Sequence, residues 1–570
     1  MKKIFASLIT VSALTLGSFA SVHAAVLSVG DPGKSWSVPD DGALGLHIQE
    51  FLDSFPGEKS SWLTDSSKVQ DIYVDPTCKS TTDSNCNLSN ISYQAVLQHC
   101  TSDSDIDCVS DFGIVDSTGN KTSATFSRYF PNKAENQYIG DSSKNVPTGG
   151  APSLYTLPSA AHDGGNTYFT EVTLNGSGNV LSGQVQLHDF GVRIYPVKIE
   201  PVTYKCSGSC PDAGYAKFTL NNGDGKERWG HQGAGFSGTQ YCVGSSMKEG
   251  LCAQRYAFPT GFTYFVQMRL KQLPTGWMHG RLSDPSIKIS SGNGFSNLEI
   301  QGNPIAIPSV YKMYKYVDMP DAIKSQYDVK KGGYINSPAC IYNTGYCAGG
   351  RSGPSENPLN RNVIMVPDPW TKDGMEQLKL WLPYVGDKAT ALLSSWSART
   401  LSGSEMEGSS SCFNDTSRVT GIVTTNSTQY SAGPPAFNKA TGTLDYQVAS
   451  PHFGTTGDVF KGSYDLVMRS DVARCVYGFS KAPINATLSV TSADGTPQIA
   501  TTVVGEKDGW LYLQAKNFEF SAPTVTAKLT QDAPIPAPVV KQPVKKITCV
   551  KGKVSKVVTT ASCPSGYKKK

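Results

Sequence analysis

Fourteen cysteines constrain this chain more than any other feature, because twelve of them fall into close sequential pairs: Cys78/Cys86, Cys100/Cys108, Cys206/Cys210, Cys242/Cys252, Cys340/Cys347 and Cys549/Cys563. Cys412 and Cys475 are left to pair with each other across a longer interval. Seven bridges is the simplest count, although spacing alone does not establish connectivity. Each short bridge would staple a surface loop by restricting the unfolded chain, and bridges in this number belong to an oxidising compartment. A zinc set drawn from Cys206, Cys210, His231, Cys242 and Cys252 is the competing arrangement, and its spacing matches no standard zinc module.

The N-terminus agrees with that compartment. Met1-Lys2-Lys3 gives a positive start, residues 4–19 are apolar apart from small hydroxyl residues and a glycine, and Val22-His23-Ala24 presents small side chains where a signal peptidase reads. The pattern predicts a signal peptide over 1–24, cleaved after Ala24. Its apolar core is short of the roughly 20 residues a bilayer span needs. No later segment is apolar enough to span, so the expectation is a secreted chain with no transmembrane segment after cleavage, released or held at the envelope by non-covalent contacts.

Removing the signal leaves 546 residues, more than one core ordinarily organises, which predicts two or three domains. Charged residues are only 17% of the chain while Gly, Ser, Thr and aromatic residues are plentiful, a balance that favours strands and turns over long helices. Residues 25–165 read as a loop-rich region holding one short helix over 44–55, where Leu44, Ile48, Phe51 and Leu52 recur at helical spacing. A β-rich domain follows over 166–372, then a helical connector over 373–397 with helices expected at 373–382 and 387–396, each opened by an aspartate. In 398–531, Leu444, Tyr446 and Val448 alternate with polar residues, as do Leu488 and Val490, and Asp494-Gly495 supplies a tight turn. This predicts a β-sandwich stapled by Cys412 and Cys475. A proline-rich linker over 532–545 leads to a basic, cysteine-paired tail over 546–570. The expected fold class is mainly β: two or more sandwich-like domains with a few short helices, disulfide-stapled, and a flexible basic C-terminal tail.

Charge is divided unevenly. From residue 539 to the end there are nine lysines and no acidic residue. The formal charge of +4 falls to +2 once Lys2 and Lys3 are removed, so the body carries about −7. Ile547-Thr548-Cys549-Val550-Lys551-Gly552-Lys553, Cys563-Pro564 and Gly566-Tyr567-Lys568-Lys569-Lys570 together resemble a short C-terminal module of otherwise unrelated exported proteins of Actinobacteria. Residues 277–287 and 464–520 more loosely resemble segments of large uncharacterised secreted proteins of the same group. The resemblance implies an envelope or extracellular location and brings no catalytic residue with it. Independently of it, lysines on a tethered segment can neutralise anionic wall polymers, acidic glycans or lipid headgroups by a salt-sensitive mechanism.

Signatures of catalysis do not emerge. The mature chain has no Gly-x-Ser-x-Gly elbow and no His-Glu-x-x-His, and neither His162-Asp163 nor His188-Asp189 is a ready-made dyad, since neighbours on a strand point to opposite faces. Asp103, Asp105 and Asp107 are the candidate metal ligands, because alternate carboxylates in a loop can converge on Ca²⁺; an EF-hand would also need glycine and glutamate where Cys108 and Ile114 stand. No other cofactor is expected. Two clusters combine aromatic and basic groups suited to binding: Arg228, Trp229 and His231 in a glycine-rich loop, and Trp277, His279 and Arg281. The expected function is a non-catalytic binding or structural surface protein whose partner is cell-wall polymer, glycan or another surface protein, with no nucleic acid. A secreted carbohydrate-active hydrolase is the alternative, because carboxylate pairs cannot be matched by sequence alone.

Overall fold

The computed structural model describes residues 43–48, 60–131, 137–201, 214–315 with short breaks, 320–323, 346–348, 363–366, 372–531 with short breaks, and 546–570 with one break. The expected signal peptide, the proline-rich segment 532–545, Cys206, Cys210 and Cys340 lie outside the described residues. Strands dominate what is described, as composition predicts.

One fourteen-stranded sheet organises the molecule. Its main path runs through strands Trp62–Asp65, Ile91–Val96, Thr167–Asn179, Gln184–Pro201, Ser397–Thr400, Gly276–Arg281, Val419–Thr425, Lys461–Arg469, Trp510–Glu519 and Thr501–Lys507. Hydrogen bonding therefore continues across residues 166, 373 and 398, where the sequence suggests changes of region. Segment 60–131 also supplies more than loops: Ile91–Val96 joins the long sheet and Cys108–Val115 joins a second one.

Two six-stranded sheets cover opposite faces of the long sheet. The first, built on Cys108–Val115, Thr263–Leu270, Ser283–Ser291 and Ser296–Asn303, packs Phe112, Val266, Met268 and Ile300 against Val172, Val192, Met278, Ile422 and Val467. The second, built on Thr443–Ala449, Ile484–Thr491 and Thr524–Gln531, packs Leu444, Tyr446, Leu488 and Val525 against Trp277, Val423, Leu466, Leu511 and Leu513. Alternation assigns the faces: Ile422 lies opposite Val467 and Val423 opposite Leu466, so successive residues of one strand enter different cores. Two sandwiches thus share a sheet.

Local chemistry supports the pairing. Asp508 and Gly509 both have positive φ, 51° and 79°, and close the hairpin between Thr501–Lys507 and Trp510–Glu519 as a primed turn requires. Register against Lys461–Arg469 shifts at Gly462/Ser463, with Asn517 opposite at φ 64°. The bulge flips the face presented, so Phe518 joins the core already entered by Leu511, Leu513 and Ala515.

Two expected helices are strands. Ala43–Ile48 pairs antiparallel with Ile305–Lys315 and parallel with Val363–Val366; residues 49–55 lie outside the described residues. Ala391–Ser395 pairs with the same Ile305–Lys315 strand, burying Ala391, Leu393 and Ser395 on alternate positions. In both, neighbouring strands satisfy the backbone groups that a helix would have satisfied internally. The helix expected at 373–382 is present as Lys372–Trp381.

Five of the expected cysteine pairs are bonded: Cys78–Cys86, Cys100–Cys108, Cys242–Cys252, Cys412–Cys475 and Cys549–Cys563. The other two expected pairs do not figure among the described bonds. Cys206 and Cys210 both lie outside the described residues, and so does Cys340, the expected partner of Cys347. Cys347 itself is placed by its backbone alone, at the middle of strand Tyr346–Ala348 and opposite Met365 of Val363–Val366. The loop that a Cys340–Cys347 bridge was expected to staple therefore ends in a paired strand.

Cys412–Cys475 ties the turn Ser411–Phe413 to helix Ser470–Tyr477 and closes the longest loop among the five, with a sequence separation of 63. Chain entropy scales with the logarithm of loop length, so replacing both cysteines by alanine is expected to lower stability by about 4 kcal/mol, against roughly 2.5 kcal/mol for an eight-residue bridge such as Cys78–Cys86. Denaturant unfolding of the two double variants checks the ranking, which is wrong if the short bridge costs more.

Candidate functional site

The Gly276–Arg281 cluster, expected to be displayed for binding, lies at the centre of the long sheet. Trp277, His279 and Arg281 are each 3% exposed or less. The strand pairs antiparallel with Ser397–Thr400 and parallel with Val419–Thr425, and both its faces are covered, so no external ligand reaches these side chains. Gly421 stands opposite Trp277, and a Cβ there would meet the indole at 2.5 Å; the ring occupies the space a side chain would have taken.

Polar groups on this face are organised by register. His279 lies opposite Arg399, which lies opposite Gly191, which lies opposite Thr173; two residues along, Arg281, Ser397, Arg193 and Glu171 form a parallel row. Directly opposed residues share a face, so a polar strip crosses four strands. It separates the core holding Trp277 and Leu466 from a smaller cluster of Phe169, Tyr195 and Val197.

Within the strip each charge has a neighbour. Arg281 donates to the carbonyl oxygens of Thr425 (2.9 Å) and Ser427 (2.7 Å) and lies over the Tyr430 ring at 4.4 Å. His279 stacks on the same ring at 3.9 Å, and burial, then the nearby guanidinium groups of Arg281 and Arg399, hold its pKa well below the ordinary imidazole value. It is therefore neutral at physiological pH. Arg399 donates to both carboxylate oxygens of Glu405, at 2.8 and 2.6 Å, and Ser402 anchors Glu405 through its backbone N–H and hydroxyl, both at 3.0 Å. Where the strip approaches the surface it forms a shallow groove, about 160 Å³, lined by Glu171, Thr173, Asn175, Asp189, Arg193 and Arg399 among others.

The Arg228, Trp229, His231 cluster sits on strand Glu227–Gln232, paired with Gly214–Thr219, rather than in a loop. Lys217, directly opposite Trp229, places its Nζ 5.8 Å from the indole centroid. Arg228 and Trp229 are partly exposed, and the side chain of His231 lies outside the described set.

The three candidate calcium ligands have three different partners. Asp103 meets Arg269 at 3.2 Å. Asp105 accepts from the backbone and hydroxyl of both Thr101 and Ser102, and these bonds hold its pKa low. Asp107 turns inward at φ 57°, accepts from the Lys271 N–H at 2.8 Å, and burial pushes its pKa up to about 6. Among the described residues no group of three or more His, Cys, Asp or Glu could hold a metal ion.

Two contacts were not legible in sequence. His188 is the bulged residue between Leu187 and Asp189, and its Nε2 meets Ser177 Oγ at 2.7 Å; on this hairpin His188 is exposed and Ser177 half-buried. The other is a carboxyl pair where the first six-stranded sheet meets the long one. Asp465 is fully buried and accepts from Thr424 Oγ1 at 3.1 Å and from the Asp284 N–H at 3.4 Å. Asp284, at φ 53°, accepts from Gln514 (3.0 Å), Asn303 (2.8 Å) and Lys516. Burial, and then the Asp284 charge, push Asp465 up to about 7, with Lys516 and Thr424 opposing.

No family model matches the chain, and neither does any curated protein or solved structure.

The Asp465 carboxyl binds its proton more tightly folded than unfolded, so its contribution to stability is fully present below pH 3.8 and is lost as pH rises towards about 7. Asp465→Asn is therefore expected to gain stability relative to the parent across that interval, by on the order of a few kcal/mol. Denaturation midpoints of both proteins at several pH values provide the check; parallel curves would contradict it.

Proposed function

We propose that this chain is an exported, non-catalytic binding protein of an actinobacterial cell envelope, cleaved after Ala24, whose C-terminal module docks on an anionic wall polymer. The observation that carries the reading is the construction of that module. Residues 546–570 hold seven lysines and no acidic residue, and all seven lysines are exposed. Strands Ile547–Lys551, Val554–Val558 and Lys568–Lys569 form a three-stranded sheet around a fully buried Cys549, bonded to Cys563. The Cys-paired tail module is thus a small folded sheet.

A folded scaffold matters to the chemistry. Charges held on strands and a pinned turn lose less conformational freedom on binding than the same charges on a loose chain, and they present a fixed array to a repeating polyanion. Phosphate or carboxylate groups along a wall polymer supply such a repeat, and release of their counterions drives the contact. The five disulfides among the described residues suit an oxidising compartment. Among the described residues no helix is long and apolar enough to cross a membrane. The body then displays its sandwiches beyond the proline-rich spacer.

Sedimentation of the purified chain with isolated actinobacterial cell walls tests the reading, alongside a chain ending at Gln531 and a Lys551→Gln/Lys553→Gln/Lys556→Gln variant. The full chain is expected to pellet at low salt and be released as screening grows towards about 0.5 M, where the Debye length is roughly 4 Å. The shortened chain should stay in solution and the triple variant should be released at lower salt. Equal pelleting of all three, or of none, overturns the assignment.

A further inference from the structure

We propose that the groove over Gly191 is a binding site for a single uncharged, hydroxyl-rich ring, that is, one neutral sugar residue. The groove lies in the body of the protein and is independent of the tail. Gly191 is the floor: it stands between Thr173 and Arg399 in the sheet, and a Cβ built there would meet nothing within 4 Å. A strand residue flanked by ordered polar side chains but facing open space creates a depression whose depth depends on the missing side chain. Its volume of about 160 Å³ is below the roughly 300–1,000 Å³ typical of drug-sized ligands, which limits the occupant to about one ring.

The lining selects against net charge. Arg399 is paired bidentately with Glu405, and Arg193 lies 4.0 Å from Glu171, so both guanidinium groups are already balanced. An anion entering the groove would face the carboxylates of Glu171 and Asp189, and a cation would face the two arginines. A neutral polyol can donate to the carboxylates and accept from the guanidinium N–H groups without disturbing either pair. Asn175 adds a specific reason for a hydroxyl donor. Its Oδ1 is buried and accepts no hydrogen bond among the described residues, yet the residue lines the groove. A side-chain amide that lines the groove with its oxygen unpaired can turn to accept a ligand O–H.

Saturation-transfer NMR and calorimetry on the full chain, in about 0.5 M salt to screen the tail, test the proposal with methyl glucoside, methyl galactoside, methyl mannoside and N-acetylglucosamine. Glucuronate and glucosamine serve as charged controls. At least one neutral sugar should bind, and the charged analogues should bind about tenfold more weakly, as expected when unmatched charge is placed among fixed polar groups. Gly191→Val fills the floor with no Cβ clash and should abolish the signal while leaving the cooperative unfolding transition intact. Asn175→Ala should weaken binding about tenfold and serves if the valine variant does not fold. Absence of binding by every neutral sugar, equal binding of the charged analogues, or binding unchanged in the folded variants overturns the assignment. Because salt suppresses the tail, failure here leaves the wall-docking result untouched, and the converse holds.

Discussion

Everything else in this molecule depends on the hydrogen-bonded continuity of the long sheet at strand Gly276–Arg281. On one side it meets Ser397–Thr400, which leads to Gln184–Pro201; on the other it meets Val419–Thr425, which leads to Lys461–Arg469. Its side chains divide between the two largest apolar cores: Met278 faces one and Trp277 the other. Neither six-stranded cover sheet can bury its inner face unless this shared layer is in place, because each contributes only half of a sandwich. The disulfides are secondary to this layer. They tie turns and hairpins to a core that apolar burial organises, with about 25 cal/mol gained per Å² of apolar surface removed from water.

The same continuity creates an unusual electrostatic demand. A strip containing Glu171, Arg193, Arg399, His279 and Arg281 runs between apolar clusters on one face, and removing such groups from water is costly unless each is paired or hydrogen-bonded. The structure answers with an ion pair for Arg399, carbonyl oxygens and an aromatic face for Arg281, and a neutral ring for His279. On the other face, burial and the neighbouring Asp284 charge raise the pKa of Asp465, and Thr424 and the Asp284 N–H donate to its carboxyl. These solutions fix geometry, since each guanidinium is tied to particular partners: Arg399 to Glu405, and Arg281 to the Thr425 and Ser427 carbonyl oxygens. Where the strip reaches the surface at Gly191, the same polar groups become available to a small ligand without further construction.

Much of the architecture was legible in the residues. Alternation at Leu444, Tyr446 and Val448 marks a strand that is observed, and the close cysteine spacings anticipate four of the five bonds found among the described residues, with Cys412–Cys475 following by elimination. The failures have a common physical origin. Leu44, Ile48, Phe51 and Leu52 satisfy a helical period, but pairing of Ala43–Ile48 with two distant strands decides the outcome, and partners more than 250 residues away leave no local trace. The 387–396 segment begins with an aspartate that would suit a helix cap, yet Asp387 adopts a left-handed conformation and Ala391, Leu393 and Ser395 alternate. Trp277, His279 and Arg281 read as a recognition cluster because aromatic and basic residues are ordinarily outside together. Only the register with Ser397–Thr400 and the ring of Tyr430 stacked on His279 reveal why they are inside. Asp465 beside Asp284 is equally invisible, since 181 residues separate them.

Native-state hydrogen exchange tests the shared central layer most directly. Amides of 276–281, 397–400 and 421–424 should exchange slowly, in the same protected class as 464–468 and 190–194, and should lose protection together as denaturant is added, because they belong to one cooperative unit. Fast exchange at 276–281 and 397–400 while the flanking strands stay protected would contradict the account: the two halves would then be separate sandwiches touching at a seam, and the polar strip that joins them would not persist.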